Sequence, residues 1–561
     1  MTAPQQMDKE NASVEASAQT PAHSKGLRAG FGFGFGWQGL GAWNLYFLAK
    51  MGLASAGYLS LNLLWNAVLA AALLIPIPWR PVRWLRTLAA LVAAVLLLWS
   101  ESWLPGWESI EQNAGGIKGF SAAYVMELAL DFINWQMVGW GVFGVLLYVL
   151  FKDAVRITVI TLCCFVGMAM TPLFEALRAD PTPLEDAVMA EAAPAAQGKV
   201  SDSKTVEEWY QAFLNYEKER RAELPTGIPE KDVPFDILLV NVCSLANDDL
   251  AAVNLDTHPV LNRFNVRFDR FNSATSYSGP AALRLLTGAC GQPSHNDLYG
   301  ERRTECETLN RLGALGYTQH LMLDHSGEYD NFLQTLRDKT GLAAPLETAG
   351  KPIPVRYMGF DDEEISDDLA LLRFWQRTIT RAKEKRSVTF MNLISLHDGN
   401  RLPRHGRSEP FKPRAKRFLD DLSVFMRELD RSGRRVMLVI APEHGAAVRG
   451  DRIQAPRLRD IPTLRITEVP VLVKFFGVKG LPDQPIHVTS DTSWLALTSL
   501  IGRTLSTNFF SKKGGAVPLQ DLVKDLPETH PVSENGSAKI LEMKGVEYLK
   551  RNDGDWKPYG K

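Results

Sequence analysis

The chain has 561 residues, a formal net charge of −1 and 46% hydrophobic residues. That length exceeds one ordinary core and calls for at least two regions. With no basic excess, the chain lacks the electrostatic footprint of a nucleic-acid binder, and its long apolar runs lie almost entirely before residue 180.

Residues 1–36 read as a disordered arm on the cytoplasmic side. Residues 37–178 carry five apolar segments, Gly41–Leu61, Leu63–Ile77, Leu85–Trp99, Phe132–Phe151 and Ile157–Leu177. Several approach the ~20 residues that cross a bilayer as a helix. The second and third are short and flank the turn-like "IPIPWRPVRW", so a buried soluble helix pair is the other reading for those two. Charge placement favours five spans. Lys25 and Arg28 precede the first segment, Arg80, Arg83 and Arg86 follow the second, and Lys152 and Arg156 follow the fourth. With the N-terminus in the cytoplasm, all three groups fall on the cytoplasmic side. The loop "SESWLPGWESIEQNAGG" is acidic and Trp-rich, which suits the outer face. About 40 residues precede the first segment and no small-residue cleavage site follows it, which speaks against a cleavable signal peptide. Five spans place everything after about residue 178 outside the cytoplasm.

Residues 179–232 are expected to form a linker and an amphipathic helix. "RADPTPLEDAVMAEAAPAAQGKVSDSKT" is rich in Ala, Pro and acidic residues and lacks aromatics. "VEEWYQAFLNYEKERR" then sets Trp209, Phe213 and Tyr216 at helical spacing. Residues 233–561 alternate strand-like and helix-like runs. The predicted strands cover 235–242, 264–271, 318–323, 388–395, 434–441 and 469–476, with helical runs such as "KRFLDDLSVFMRELDRSG" between several of them. Short, fully apolar strands separated by helices predict an α/β domain with a mostly parallel sheet sandwiched by helices.

Ligands of open α/β sheets bind beyond the carboxyl ends of strands. Those ends carry Cys243, Ser278 just before Gly279-Pro280, His397 with Asp398, and Glu443 with His444. Taken singly, each has an ordinary reading: a small core thiol, a helix-capping hydroxyl, a turn residue, and a strand-to-loop turn with glycine at positive φ. Taken together, they deliver metal-ligand and phosphoryl-transfer groups to one sheet edge. A thiolate, an imidazole and a carboxylate suit Zn²⁺, with Cys243, Glu443 and His444 as protein ligands and the Ser278 oxygen at an exchangeable fourth position. Zinc lowers the pKa of an oxygen acid, which is what a serine needs to attack phosphorus near neutral pH. The helix start at Gly279 offers N–H donors to a phosphate.

"NVCSL", "FNSATSYSGPAALRLL", "CGQPSHNDLY", "LGYTQHLMLDHSG", "LHDGN", "PEHGAAVRGDR", "LRDIP" and "NDGDWKPY" resemble the corresponding stretches of one family, as does the chain from "GAWNLYFLAKMGLASAGYL" onward. That family is the BcsG-type cellulose phosphoethanolamine transferases, within the alkaline phosphatase superfamily and its bacterial membrane phosphoethanolamine transferases. The resemblance covers almost the whole chain except the first ~35 residues and most of the linker. It implies an alkaline phosphatase-like catalytic domain in the periplasm, anchored in the inner membrane. It implies Ser278 as the nucleophile that takes the covalent phosphoethanolamine, with Cys243, Ser278, Glu443 and His444 around zinc. His397 would act near the phosphate as donor or as acid/base, and Tyr277 and Arg459 would line the substrate pocket. The implied donor is phosphatidylethanolamine, the implied acceptor the glucose 6-hydroxyl of cellulose, and the implied partners are subunits of the cellulose synthase complex. Lipid-modifying relatives generally use a threonine nucleophile and a carboxylate where Cys243 stands, so this chain departs from them there. A transferase acting on lipid A or another glycan, and a membrane assembly subunit of the synthase, are the other readings. A sulfatase-like hydrolase fits poorly, because "SGPAALR" keeps a proline and an arginine but not the sulfatase spacing.

Of the five cysteines, Cys163 and Cys164 lie in the fifth apolar segment, where a reduced packing role is expected. Cys290 and Cys306 stand 16 positions apart, and an oxidising compartment permits a disulfide between them. A second metal site with His295, His320 or His325 is the alternative. Asn535-Gly-Ser matches a glycosylation sequon, which carries little weight in a bacterial-looking chain.

Overall fold

A computed structural model describes residues 39–56, 59, 61–102, 119–131, 135–178, 202–228, 232–350, 352–382, 384–451, 453–511, 517–552 and 554–559. The expected N-terminal arm and most of the expected linker lie outside these residues.

The N-terminal half is helical: Trp43–Ser55, Leu63–Leu74, Arg80–Glu101, Ala122–Asp131, Trp135–Phe151 and Ile157–Arg178. Where the sequence pattern predicts five spans, one helix among the described residues meets the requirement. Arg80–Glu101, with 22 residues, is long and apolar enough, while the apolar helical stretches Leu63–Leu74, Val138–Phe151 and Ile157–Met170 are shorter. Arg80, Arg83 and Arg86 stand in the opening turns of Arg80–Glu101 rather than in a turn before it. Proline at the second helical position makes that early start possible, because the first turn has no use for its missing N–H. Polarity in this half is inverted relative to an aqueous domain. Leu85, Leu91, Leu96, Leu146 and Leu150 are exposed, whereas Lys50, Asn66 and Glu101 are buried. Lys50 Nζ lies 2.6 Å from Glu101 and donates to Asn66 Oδ1 at 2.7 Å, and Asn66 Nδ2 donates to Glu101 Oε1 at 2.5 Å. The helix Ala122–Asp131, between the third and fourth apolar segments, was not predicted.

The helix Ser203–Glu219 begins at Asp202, whose carboxylate accepts from Thr205 N at 2.8 Å. Its buried stripe is Val206, Tyr210, Phe213 and Glu217; Tyr216 is 64% exposed, so the predicted packing face is rotated by one position. The stripe packs on a C-terminal antiparallel sheet of Val532–Glu534, Ala538–Met543, Val546–Arg551 and Lys557–Pro558, through Val532, Leu541, Tyr548 and Trp556. That sheet, too, was not predicted.

The large sheet has seven strands: β1 (Asp236–Cys243), β2 (Val266–Asn272), β3 (Thr318–Leu323), β4 (Ser387–Leu393), β5 (Val436–His444), β6 (Glu468–Phe476) and β7 (Ile486–Val488). Their spatial order is β3-β4-β1-β5-β6-β2-β7. The pairs β3–β4, β4–β1, β1–β5 and β2–β7 are parallel, whereas β6 runs antiparallel to both neighbours. The sheet is therefore mixed, though parallel pairs outnumber antiparallel ones as the apolar strands predict. One face packs on a core that includes Leu283, Leu286, Trp494 and Leu500; the other packs on Leu371, Trp375, Phe418 and Phe425. All residues of β1, β4 and β5 are buried, which is why these strands read as predominantly apolar runs with a few polar residues that must find partners inside. These three are neighbours in the middle of the sheet, so their carboxyl ends open side by side.

Candidate active site

Cys243 is the last residue of β1, and Glu443 and His444 close β5. Successive residues in a strand point to opposite faces, so Glu443 and His444 should diverge. The pairing instead slips between Val242 and Cys243. Val242 partners Pro442, and Cys243 partners His444, skipping Glu443. That irregularity lets one ligand atom from each of Cys243, Glu443 and His444 fall within 4.8 Å of the others. Cys243 Sγ lies 3.6 Å from His444 Nε2 and 3.3 Å from the Oγ of Ser278, the first residue of the helix Ser278–Leu286.

The four groups are held by neighbours that the sequence reading did not single out. Asn392, next to last in β4, donates from Nδ2 to Glu443 Oε1 at 2.5 Å and to Asn241 Oδ1 at 2.9 Å. Asp249 is buried and accepts from the backbone N–H groups of Ala246 (3.0 Å), Ala446 (2.6 Å) and Val448 (3.1 Å), tying the loop after β1 to the loop after β5. Gly445 is not at positive φ. A Cβ there would meet Ala246 Cβ at 2.6 Å and Asp249 Oδ2 at 2.7 Å, so the glycine serves the close approach of these loops. The only signal for Asp249 and Asn392 is their short distance in sequence from the ends of β1 and β4.

The hydroxyls crowded before the helix Ser278–Leu286 do not cap it. Its N-cap residue is Tyr277, with no side-chain cap. Thr275 Oγ1 donates to Asn535 Oδ1 at 2.9 Å, and Asn535 Nδ2 donates to Ser276 Oγ at 2.7 Å, so both hydroxyls are held by a buried asparagine of the C-terminal segment. Asn535 is 1% exposed, which removes it as a glycosylation acceptor. Ser278, unlike its neighbours, faces the thiol.

Arg459 donates from Nη1 to Ser244 Oγ at 3.1 Å and comes within 3.4 Å of His444 Nδ1; its carbonyl accepts from Ser276 Oγ. Tyr277 turns its hydroxyl to Asp460 Oδ1, at 2.9 Å. His397 sits in the loop after β4, half-buried, with the Phe360 ring tilted against its own at 4.5 Å between centroids and Nδ1 2.6 Å from the Asp398 carbonyl. Cys290 and Cys306 are bonded to each other, which leaves neither sulfur free to join a histidine at a second metal site. Cys290 pairs with Arg221, so the disulfide anchors the segment that follows the helix Ser203–Glu219. His320 lies between Glu347 (2.8 Å) and Glu384 (2.9 Å), and His325 pairs with Asp324 at 2.8 Å.

Burial pushes the Cys243 thiol up to about 12, with the Glu443 charge adding to the effect. Burial pushes the Glu443 carboxyl up to about 7, against hydrogen bonds from Ser278, Asn392 and Cys243. Burial and then the Arg459 charge drive His444 well below its ordinary value and His397 down to about 3. Both imidazoles are thus neutral. A carbonyl oxygen can only accept, so the Gly445 carbonyl, 2.9 Å from His444 Nδ1, places the ring hydrogen there and leaves the Nε2 lone pair facing Cys243. Glu443 Oε2 is buried without a hydrogen-bond partner. A sulfur, an imidazole nitrogen and an orphaned carboxylate oxygen, all buried and converging, fit a divalent cation of the zinc type.

A model of the cellulose biosynthesis protein BcsG C-terminal domain matches residues 190–556, and one of the BcsG N-terminal domain matches residues 43–170. The chain is 39% identical over 551 residues to the cellulose biosynthesis protein BcsG of Escherichia coli K12, covering 93% of this chain and 97% of that protein. It is 39% identical over 544 residues to the protein of the same name from Salmonella typhimurium LT2, with the same coverage. Among solved structures, an alkaline phosphatase superfamily protein from Vibrio parahaemolyticus aligns with a TM-score of 0.45 at 12% identity, over 64% of this chain and 88% of that one. The integral membrane lipooligosaccharide phosphoethanolamine transferase A of Neisseria meningitidis aligns with a TM-score of 0.39 at 11% identity, over 82% and 94%. At these scores neither structural likeness bears on activity.

Proposed function

The chain belongs to the BcsG family of cellulose biosynthesis proteins, and from that premise we propose that it transfers phosphoethanolamine from phosphatidylethanolamine to a glucose 6-hydroxyl of cellulose, through a phosphoserine on Ser278. One observation carries this reading: Ser278 Oγ stands 3.3 Å from Cys243 Sγ at the mouth of a buried Cys243–Glu443–His444 set. Cys243 Sγ, Glu443 Oε2 and His444 Nε2 would hold Zn²⁺, with Ser278 Oγ beside them. Bound there, the ion supplies Lewis-acid stabilisation of negative charge developing at oxygen.

The remaining chemistry belongs to the protein's own side chains. In the first displacement, Ser278 Oγ forms a bond to phosphorus as the phosphorus–oxygen bond to diacylglycerol breaks, and the proton that the serine gives up ends on the departing oxygen. In the second, the acceptor hydroxyl forms the new phosphorus–oxygen bond, the bond to Ser278 breaks, and the serine regains its hydrogen. The neutral His397 ring, its Nδ1 occupied by the Asp398 carbonyl, has the lone pair of Nε2 with which to take the acceptor's proton. Arg459 supplies the fixed positive charge for a phosphate oxygen, and Tyr277, held on Asp460, walls the pocket. The exposed leucines over a buried Lys50–Glu101 pair support an apolar environment for the N-terminal half. We read that half as a five-span inner-membrane domain that keeps a periplasmic catalytic domain beside its lipid donor and near the cellulose synthase complex.

The test uses the full chain in phosphatidylethanolamine vesicles. Intact-mass analysis should find one phosphoethanolamine on Ser278 and transfer to a cello-oligosaccharide. Transfer retained by Ser278→Ala, or zinc content unchanged in Cys243→Ala, would overturn the assignment.

A further inference from the structure

The loop that carries His397 is not held by the catalytic domain alone. The helix Ala122–Asp131, from the N-terminal half, lies against it. Tyr124 is 7% exposed and donates from Oη to Asp398 Oδ2 at 3.0 Å. The same carboxylate oxygen accepts from Arg457 Nε at 2.8 Å, and Arg457 lies 3.7 Å from Glu127, one helical turn beyond Tyr124. Glu127 Oε2 accepts from Ser408 N (3.2 Å) and Ser408 Oγ (2.9 Å). The result is a closed ring: Tyr124, Asp398, Arg457 and Glu127, two members from each half of the chain. Arg457 is itself pinned to the loop after β5, its N donating to Ala447 O at 2.9 Å.

The apolar contacts run the same way. Ser121 N donates to Phe360 O at 2.9 Å, and the Phe120 ring meets Phe360 edge-on at 5.4 Å. The Phe360 ring in turn meets the His397 ring at a tilt, with centroids 4.5 Å apart. Gly399, at φ +86°, is shaped for this docking. A Cβ there would come 2.7 Å from Phe360 Cβ and 2.8 Å from Tyr124 Cε2. The "HDG" of residues 397–399 is thus a working unit in which His397 meets the Phe360 ring, Asp398 takes the Tyr124 hydroxyl and Gly399 leaves room for its ring.

We propose that Tyr124 and Glu127 are positioning residues for the transfer reaction, fixing the His397–Gly399 loop through Asp398 and Arg457, so that the catalytic site is complete only when the helix Ala122–Asp131 is docked on it. This rests on the function proposed above. The orientation of His397 depends on the Asp398 carbonyl, and the position of Asp398 depends on a hydroxyl and a guanidinium that the helix holds in place. Lateral shifts of a catalytic group by about 1 Å cost on the order of 100-fold in rate. Loss of one of the two tethers should therefore show in turnover rather than in donor binding.

The experiment uses the full chain in phosphatidylethanolamine vesicles, with a cello-oligosaccharide acceptor, and compares Tyr124→Phe, Asp398→Asn and the double variant. Tyr124→Phe keeps the ring and loses only the hydroxyl. We expect kcat to fall about tenfold, with KM for the donor and zinc content within twofold of the parent and the melting temperature unchanged. The double variant should lose no more than Asp398→Asn alone, because both substitutions cut one link. A kcat for Tyr124→Phe within twofold of the parent, losses that multiply in the double variant, or a loss that tracks a lowered melting temperature each overturn the proposal. A parent that does not load Ser278 overturns the function and this proposal together; a parent that loads, with Tyr124→Phe unchanged, overturns this proposal alone.

Discussion

The two halves of this chain expose opposite kinds of side chain, although each buries an apolar core. Around β1, β4 and β5 the interior is mainly Leu, Val, Ile, Met and Phe, and large apolar side chains are rarely left exposed. In the N-terminal half the leucines of Arg80–Glu101 and Trp135–Phe151 face outward, while Lys50, Asn66 and Glu101 are shut inside. Side chains sort by the medium around them, so leucines turned outward are what an apolar medium would select. Both halves nevertheless set a buried charge beside a polar partner, Lys50 against Glu101 in one and Glu443 against Asn392 in the other.

Removing the ligand set tests that rule where the effect is greatest. Cys243→Ala or chelation of the metal should reduce phosphoethanolamine transfer by on the order of a thousandfold or more, and added zinc should restore the chelated parent but not the variant. Product formation and metal content measured on the same samples decide it. Next in size is the N-terminal half's own pair. Glu101→Gln leaves Lys50 buried without its countercharge and should cost about 3–5 kcal/mol, read as a lowered melting temperature in detergent, with Lys50→Met plus Glu101→Leu recovering most of the loss. A double variant no more stable than Glu101→Gln would show that the pair is not the source of that stability.

Asp249→Ala sits between the halves in kind, since it removes a carboxylate that organises backbone rather than chemistry. Three N–H groups lose their acceptor, which should cost about 2–3 kcal/mol and loosen Gly445–Val448, seen as faster amide hydrogen exchange there. Exchange at the parent rate would contradict the role given to it. The smallest effect is a pH dependence away from the site. Burial acts to lower the His320 pKa, but hydrogen bonds to Glu384 and Glu347 outweigh it and the pKa is raised. A raised folded-state value stabilises the fold below the ordinary histidine value, and the contribution disappears as pH rises through the raised one. Melting curves of the parent and His320→Asn, taken from about pH 5 upward, should differ most at the acidic end and converge at the alkaline end. A constant gap would mean that packing, not charge, is what His320 supplies.

Much of the catalytic half was legible because its central strands are buried on both faces and end abruptly in polar residues. Cys243, His397, Glu443 and His444 stood out for that reason, and the structure puts them at neighbouring strand ends. The missed elements have a common cause. Nothing local to Thr275 and Ser276 shows that Asn535, some 260 positions away, holds both hydroxyls. Tyr216 fits a helical stripe as well as Tyr210 does, and only the C-terminal sheet decides which one is covered. The helix Ala122–Asp131 adjoins a long apolar segment, and its partner Asp398 is 274 residues further on.

Local residue order was enough for the central strands of the large sheet and for the chemical groups that wait at their ends, because a strand buried on both faces reads as a short apolar stretch that stops at polar residues. Only the tertiary structure decided that β6 runs antiparallel, that the slip at Val242–Cys243 turns Glu443 and His444 toward one thiol, and that Tyr124 reaches Asp398. Those are choices of partner and register between distant segments. Many pairings satisfy the same local pattern, and close packing of the whole chain selects one of them.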